Sequence, residues 1–151
     1  MANYCCAVRT NYFHVKDPDK FRDFMKNVVS SEDSIKVWER TDDVGNTVFG
    51  FGCYGSILGV TVCADGVNAD DSDCDYDDYD FDEFVNGLAD LVAEDDAIII
   101  LESGNEKLRY VTGCAIVITS TDSEYMEIDV LAAQQAAEML NNPDWQTQLE
   151  Y

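Results

Sequence analysis

Between Thr41 and Glu106 the chain has no lysine, arginine or histidine, while the same span carries 18 acids. A basic surface for nucleic acid cannot come from that stretch, because phosphate contacts are made by Lys and Arg. The chain has one histidine, His14, so any Ser-His or Cys-His catalytic pair would have to use it. His14 falls at a strand end before Lys16 and Asp17, too far along from Cys5 and Cys6 to meet them. No nucleophile motif is visible, and no catalytic residue is assigned. No C-x-x-C pair occurs among the six cysteines, so a zinc knuckle is not indicated. No apolar run approaches the ~20 residues of a membrane span. The start, MANYCCAVRTNYF, lacks the basic opening and long apolar run of a signal peptide. The expectation is a cytoplasmic protein with free thiols and a core that needs no disulfide.

What the chain does have is acid. It carries 31 Asp and Glu against 9 Lys and Arg, a formal charge of -22 on 151 residues. Solubility alone would call for a magnitude of roughly 2–8 in a small domain. Self-repulsion at -22 opposes compaction, so the field is expected to serve a partner. Hydrophobic residues make up 46% and aromatics 11%, enough for a core and unlike an acidic disordered tail. One domain over residues 1–151 is the default at this length. Halophilic adaptation would spread the acid evenly, whereas here it gathers in the middle, with an acidic loop at about 65–80.

The pattern along the chain is β-α-β-β-α-β-β-β-α. Cys5–Val15 reads as a strand with Cys6, Val8, Thr10 and Tyr12 on one face. Asp17-Pro18 supplies an N-cap and a first-turn proline, and Phe21, Phe24, Met25 and Val28 carry an amphipathic helix over Pro18–Val29. Ile35–Arg40 and Thr47–Tyr54 form a hairpin across a turn at Asp42–Asn46. A short strand falls near Val60–Ala64. Asp80 and Glu83 make a D-x-x-E capping box. The helix behind it, Asp80–Ala93, has Phe81, Phe84, Val85, Leu88 and Val92 on its apolar side and Asp82, Glu83, Asn86 and Asp90 on the other. Ala97–Glu102 reads as a buried strand, Ser103-Gly104-Asn105 as a turn, and Lys107–Ser120 as a strand that Gly113 bulges. Glu124–Ile128 pairs back, and a last helix over Val130–Leu140 is capped by Asp129. Trp145 and Tyr151, in a polar tail, dock on the domain or on a second subunit, which keeps a homodimer open. The fold class expected is α+β. An antiparallel sheet carries two to three helices, with a ferredoxin-like layout in the first six elements.

The most distinctive segment is NADDSDCDYDDYDFDE. Asp71, Asp73, Asp75 and Asp77 alternate and, if extended, line one face about 6.6–7 Å apart, since a strand rises ~3.3 Å per residue. Helical i,i+4 carboxylates lie about 6 Å apart. Either spacing can imitate a row of phosphates, because duplex DNA presents one charge per ~1.7 Å of axis. The competing readings are a solvated loop and a cation site. Against an EF-hand, position 6 from Asp71 is Tyr76 where Gly is needed, position 12 is Asp82 rather than Glu, and no helix precedes. Unselective, weak binding of Ca²⁺ or Mg²⁺ is still expected; no specific metal site or cofactor is assigned. Gly50-Phe51-Gly52-Cys53-Tyr54-Gly55 matches G-x-G-x-x-G, but it is not poised between a strand and a helix. The residues expected to meet a partner are Asp70, Asp71, Asp73, Asp75, Asp77, Asp78, Asp82, Glu83 and Asp90, with Tyr76 and Tyr79 as aromatic anchors.

A short single domain, a strong acid excess, an acid-only segment and no catalytic motif are traits this chain shares with a known group. In them it resembles the small acidic anti-defence proteins of phages and mobile elements, the anti-restriction and anti-CRISPR proteins that imitate DNA. The strings NYFHVKD and ESGNEKLRYVTG resemble proteins of Firmicutes mobile elements. The resemblance implies an inhibitor, not an enzyme, acting in the host cytoplasm. It would occupy the DNA groove of a basic nucleic-acid-binding protein, such as a nuclease or CRISPR effector, without itself binding nucleic acid or membrane. An immunity protein that neutralises a basic toxin would use the same electrostatics, and a divalent-cation-binding domain is the third alternative.

Overall fold

The computed structural model describes residues 4–62, 78–108 and 110–147. The elements are β1 (Cys5–Thr10), α1 (Pro18–Met25), β2 (Val28–Ser30), β3 (Lys36–Thr41), β4 (Thr47–Tyr54), β5 (Ile57–Thr61), β6 (Tyr79–Asp80), α2 (Phe81–Leu91), β7 (Ile98–Glu106), β8 (Tyr110–Ile118), β9 (Ser123–Glu127) and α3 (Ile128–Met139). Six strands form one antiparallel sheet in the order β3-β4-β1-β7-β8-β9, and β2-β5-β6 form a second, smaller sheet. The class is α+β. Strand β4 lies between β1 and β3, and β1 between β4 and β7. Each strand-helix-strand unit is therefore split by a strand of the other, which is the split β-α-β layout.

Helices α1 and α2 cover one face of the large sheet. Asp17 caps α1 by accepting from the Asp19 and Lys20 amides, with Pro18 in the first turn. From α1, Phe21 and Met25 are buried, and from α2, Phe84 and Leu88. They meet Val8, Phe49, Phe51, Ile98, Ile100 and Ile118 of the sheet. Phe13 packs edge-on against both Phe21 and Phe51. The two helices come close because residue 87 is glycine: a Cβ there would run into the Phe24 ring. Phe24 in turn stacks on Phe84, with centroids 6.4 Å apart and planes 10° apart.

Several boundaries differ from the sequence reading. Helix α1 stops at Met25, not Val29, because Val28 and Val29 pair with Val60 and Gly59 of β5. Two β-branched residues gain more from a ladder than from another helical turn. The small strand near Val60 runs Ile57–Thr61. Ser103-Gly104-Asn105 is no turn, since β7 continues through it, laddered to β1 at Cys6↔Gly104 and to β8 at Gly104↔Thr112. The chain reverses instead at Lys107, which takes a positive φ of 53°. Gly113 makes no bulge, as the β7–β8 register passes through it unbroken. Strand β7 is not buried on both sides: Ile98 and Ile100 are covered while Leu101 is 54% exposed. Helix α3 begins at Ile128, with Glu127 rather than Asp129 at the N-cap and no side-chain cap bond. Cys6, Cys53 and Cys114 are free thiols, and Cys5 is exposed. Among the described residues no helix is long and apolar enough to cross a membrane.

Candidate partner-binding groove

Helix α2 starts where the sequence places it. The Asp80 carboxylate accepts from the Glu83 amide at 3.1 Å, which is half of the capping box. Asp82 and Glu83 fall in the first turn, where negative charge complements the helix dipole. Asp82, Asn86 and Asp90 recur every four residues, so their side chains line one stripe at about 6 Å intervals. Asp78 and Tyr79 precede the helix and are exposed. Asp70, Asp71, Asp73, Asp75, Tyr76 and Asp77 lie outside the described residues.

The apolar side of α2 is only partly used by the core. Phe84, Leu88 and Val92 are fully buried, but Phe81 stays 38% exposed and Val85 is half-buried. Those two face β8 and β9 across a groove. One cavity of about 270 Å³ is lined by Ile57, Phe81, Phe84, Ile116, Glu102 and Tyr125, among others. A second, about 440 Å³, opens between Asp82, Val85 and Asn86 on α2 and Ser123, Glu124 and Tyr125 on β9. A third, about 250 Å³, continues past Tyr125 to Glu127 and Asp129 at the start of α3. Tyr125 borders all three. Its hydroxyl is raised well above the ordinary tyrosine value by burial and by its hydrogen bond with Cys114, so it stays neutral. The floor is thus aromatic and aliphatic, and the rim carries Asp82, Glu102, Glu124, Glu127 and Asp129. Among the described residues no Lys or Arg lines any part of it.

Tertiary structure therefore extends the acidic stripe of α2 with carboxylates that sequence reading missed. Glu102 and Glu127 stand in strands far along the chain, and the registers Glu102↔Cys114 and Cys114↔Glu127 set them on the sheet face that α2 covers. Glu124 reaches the same groove from the edge strand β9, lining the cavity it shares with Asp82. The period-two alternation of β7 and β9 was a usable signal, but the strand order was not readable from it.

The single histidine holds loops together. His14 Nε2 lies 2.7 Å from Asp42 Oδ2 and Nδ1 lies 2.9 Å from Asp96 Oδ2. The His14 amide also donates to Asp96. Asp42 further accepts from the Val44 and Asn46 amides, tying the β3–β4 turn to the same point. The two carboxylates raise the His14 pKa. Both ring nitrogens are occupied, and the thiols of Cys6, Cys53 and Cys114 are all pushed up by burial, Cys53 to about 11. Among the described residues no nucleophile is paired with a base, and no cluster of His, Cys, Asp and Glu suits a metal ion. The glycines of the G-x-G-x-x-G match lie in β4 and its exit turn, followed by β5 and not by a helix. Compared with protein-family models, curated proteins and solved structures, the chain matches none.

Proposed function

We propose that this chain is an inhibitor that presents a DNA-like acidic surface to a basic nucleic-acid-binding defence protein, a restriction enzyme or CRISPR effector, and blocks its DNA groove. The observation that supports this reading most is the segregation of charge. The Thr41–Glu106 span holds no cation, and the groove it builds with β8, β9 and the start of α3 has, among the described residues, five acids on its rim and no base. Such a surface attracts a basic partner over the ~8–10 Å reach of exposed charges at moderate salt. The apolar floor adds what a row of phosphates lacks, a place for an aliphatic or aromatic side chain of the partner. In this reading the acids from Asp70 to Asp78 meet the same partner, with Tyr76 and Tyr79 as anchors.

The test is displacement. Purified protein is titrated into a nuclease or guide complex bound to labelled DNA. Release is expected, weakening as salt rises. Changing Asp82, Glu83, Asp90 and Glu124 together to amides should weaken release by roughly tenfold to several hundredfold, because exposed ion pairs contribute little singly and accumulate. Any one of the four changes alone should matter little. Tight binding of this chain to duplex DNA near physiological salt would refute the reading. So would full activity in the folded fourfold variant.

A further inference from the structure

The face of the large sheet opposite α1 and α2 has a different chemistry from the rest of the molecule. Glu124 is the one acid among the strand residues that the register places there. Arg9, Lys36 and Arg40 stand on it, and among the described residues none of them pairs with a carboxylate. Each lies over a ring instead. Arg9 stacks on Trp38 at 4.1 Å, Arg40 on Tyr12 at 4.8 Å and Lys36 on Tyr54 at 5.7 Å. On α1, by contrast, Arg22 binds Glu39 and Asp19, and Lys26 binds Asp23. Toward β7 the same face is apolar, with Leu101 54% and Val111 65% exposed.

Helix α3 is a second uncovered surface. It starts with Ile128 beside Gly113, at the β8 border of this face. No residue in it is buried, and Ile128, Val130, Leu131 and Met139 are all exposed. Asp129 and Glu138 sit among them. An apolar helix and an apolar sheet face are each stable only against another element.

We infer that a second copy of this chain docks here, with α3 of each copy laid across the open sheet face of the other. The chemistry of the two surfaces is complementary. An apolar helix edged with Asp129 and Glu138 meets an apolar strip edged with Arg9, Lys36 and Arg40. The dimensions agree: 12 residues of helix reach about 18 Å, and the span from β7 across β1 and β4 to β3 is about 14–15 Å at ~4.8 Å per strand. One two-fold contact covers all four surfaces, as an isologous interface does. Trp, Tyr, Arg and Met are the residue types enriched at such interfaces. Two copies that each carry -22 repel, and the face nearly free of acid is where they can approach at least cost.

The experiment is sedimentation of the purified full chain, in reductant, over a concentration series from low to high micromolar. A reversible dimer is expected, and added salt should tighten it, because screening the mutual repulsion of two acidic copies outweighs loosening the few cation–carboxylate pairs. Leu101→Asp and Leu131→Asp should each weaken it by about tenfold or more. Both positions are exposed, so far-UV dichroism should stay as in the unaltered chain, and so should the melting temperature at concentrations low enough that both are monomeric. Val44→Asp, 83% exposed in the β3–β4 turn, should leave the dimer as it was. A monomer throughout the series overturns the inference. So does a dimer that folded Leu101→Asp and Leu131→Asp variants leave intact. No defence protein enters the assay, so its failure leaves the displacement test of the acidic groove standing.

Discussion

Replacing Gly87 by alanine sets two effects of opposite sign against each other. In the middle of α2, glycine costs about 1 kcal/mol relative to alanine through backbone entropy. On propensity alone, Gly87→Ala should stabilise by that much. The structure reverses the sign. The new Cβ would fall inside the van der Waals envelope of the Phe24 ring, reaching its outer edge first. Either α1 backs away or the ring swings out. Backing away loosens Phe21 and Met25, the two buried residues of α1, and overpacking of this kind costs about 1–3 kcal/mol. Swinging the ring toward solvent gives up its stacking on Phe84, about 0.5–1.5 kcal/mol, together with the burial of a half-covered phenyl, about 1 kcal/mol. The cheaper exit costs about 2 kcal/mol, so after the propensity gain Gly87→Ala should destabilise by about 1 kcal/mol. The assay is urea unfolding, read as a lower midpoint at unchanged slope. The decisive control is Phe24→Leu, which removes the ring edge. In that background Gly87→Ala should become stabilising by about 1 kcal/mol, a coupling of about 2 kcal/mol between contacting residues. A Gly87→Ala that stabilises the unaltered chain would refute the close contact between α1 and α2 at Phe24.

Two further outcomes are expected from the loops and caps. The His14 clasp contributes stability that is fully present below the ordinary His value of about 6.5 and is lost as pH rises through the raised value in the folded protein. Asp42 is lowered by His14 and by the Asn46 amide, and Asp96 is lowered on balance because, against burial, the His14 amide and ring both donate to it. Their contribution is present above about pH 4 and fades as pH falls through their lowered values. Melting temperature should therefore fall on both sides of a window between about pH 4 and 6.5, and His14→Gln should flatten that profile. A profile with the same shape in His14→Gln would rule out the clasp as its source. Asp80→Ala should cost about 1 kcal/mol, since it strips the cap from the Glu83 amide. Equilibrium unfolding would show this directly, and an unchanged midpoint would mean that the cap is replaced by another group.

Much of the fold was legible because local chemistry carried it. Asp17-Pro18 opens α1, Asp80 with Glu83 opens α2, and β4 runs over Thr47–Tyr54 as its alternation and flanking turn indicate. The α+β class and the split order of the first strand-helix-strand units follow from the same sequence of elements. Composition alone determined the acid excess, the cation-free span and the lack of a second histidine. These are properties of a residue or of its neighbours within one turn. The tertiary structure decided whatever depends on partners far along the chain. Val28–Ser30 is a strand because β5 lies beside it, and Ser103–Asn105 extends β7 because β1 and β8 flank it. Glu102 and Glu127 join Asp82 around one groove because of strand register, and Glu124 joins it because β9 is the edge strand, neither of which local preference encodes. His14 finds Asp42 and Asp96 only when three loops close on each other. Charge density belongs to the residues of a segment, whereas a rim, a clasp or an open sheet face belongs to pairings that local sequence leaves open until the chain has folded.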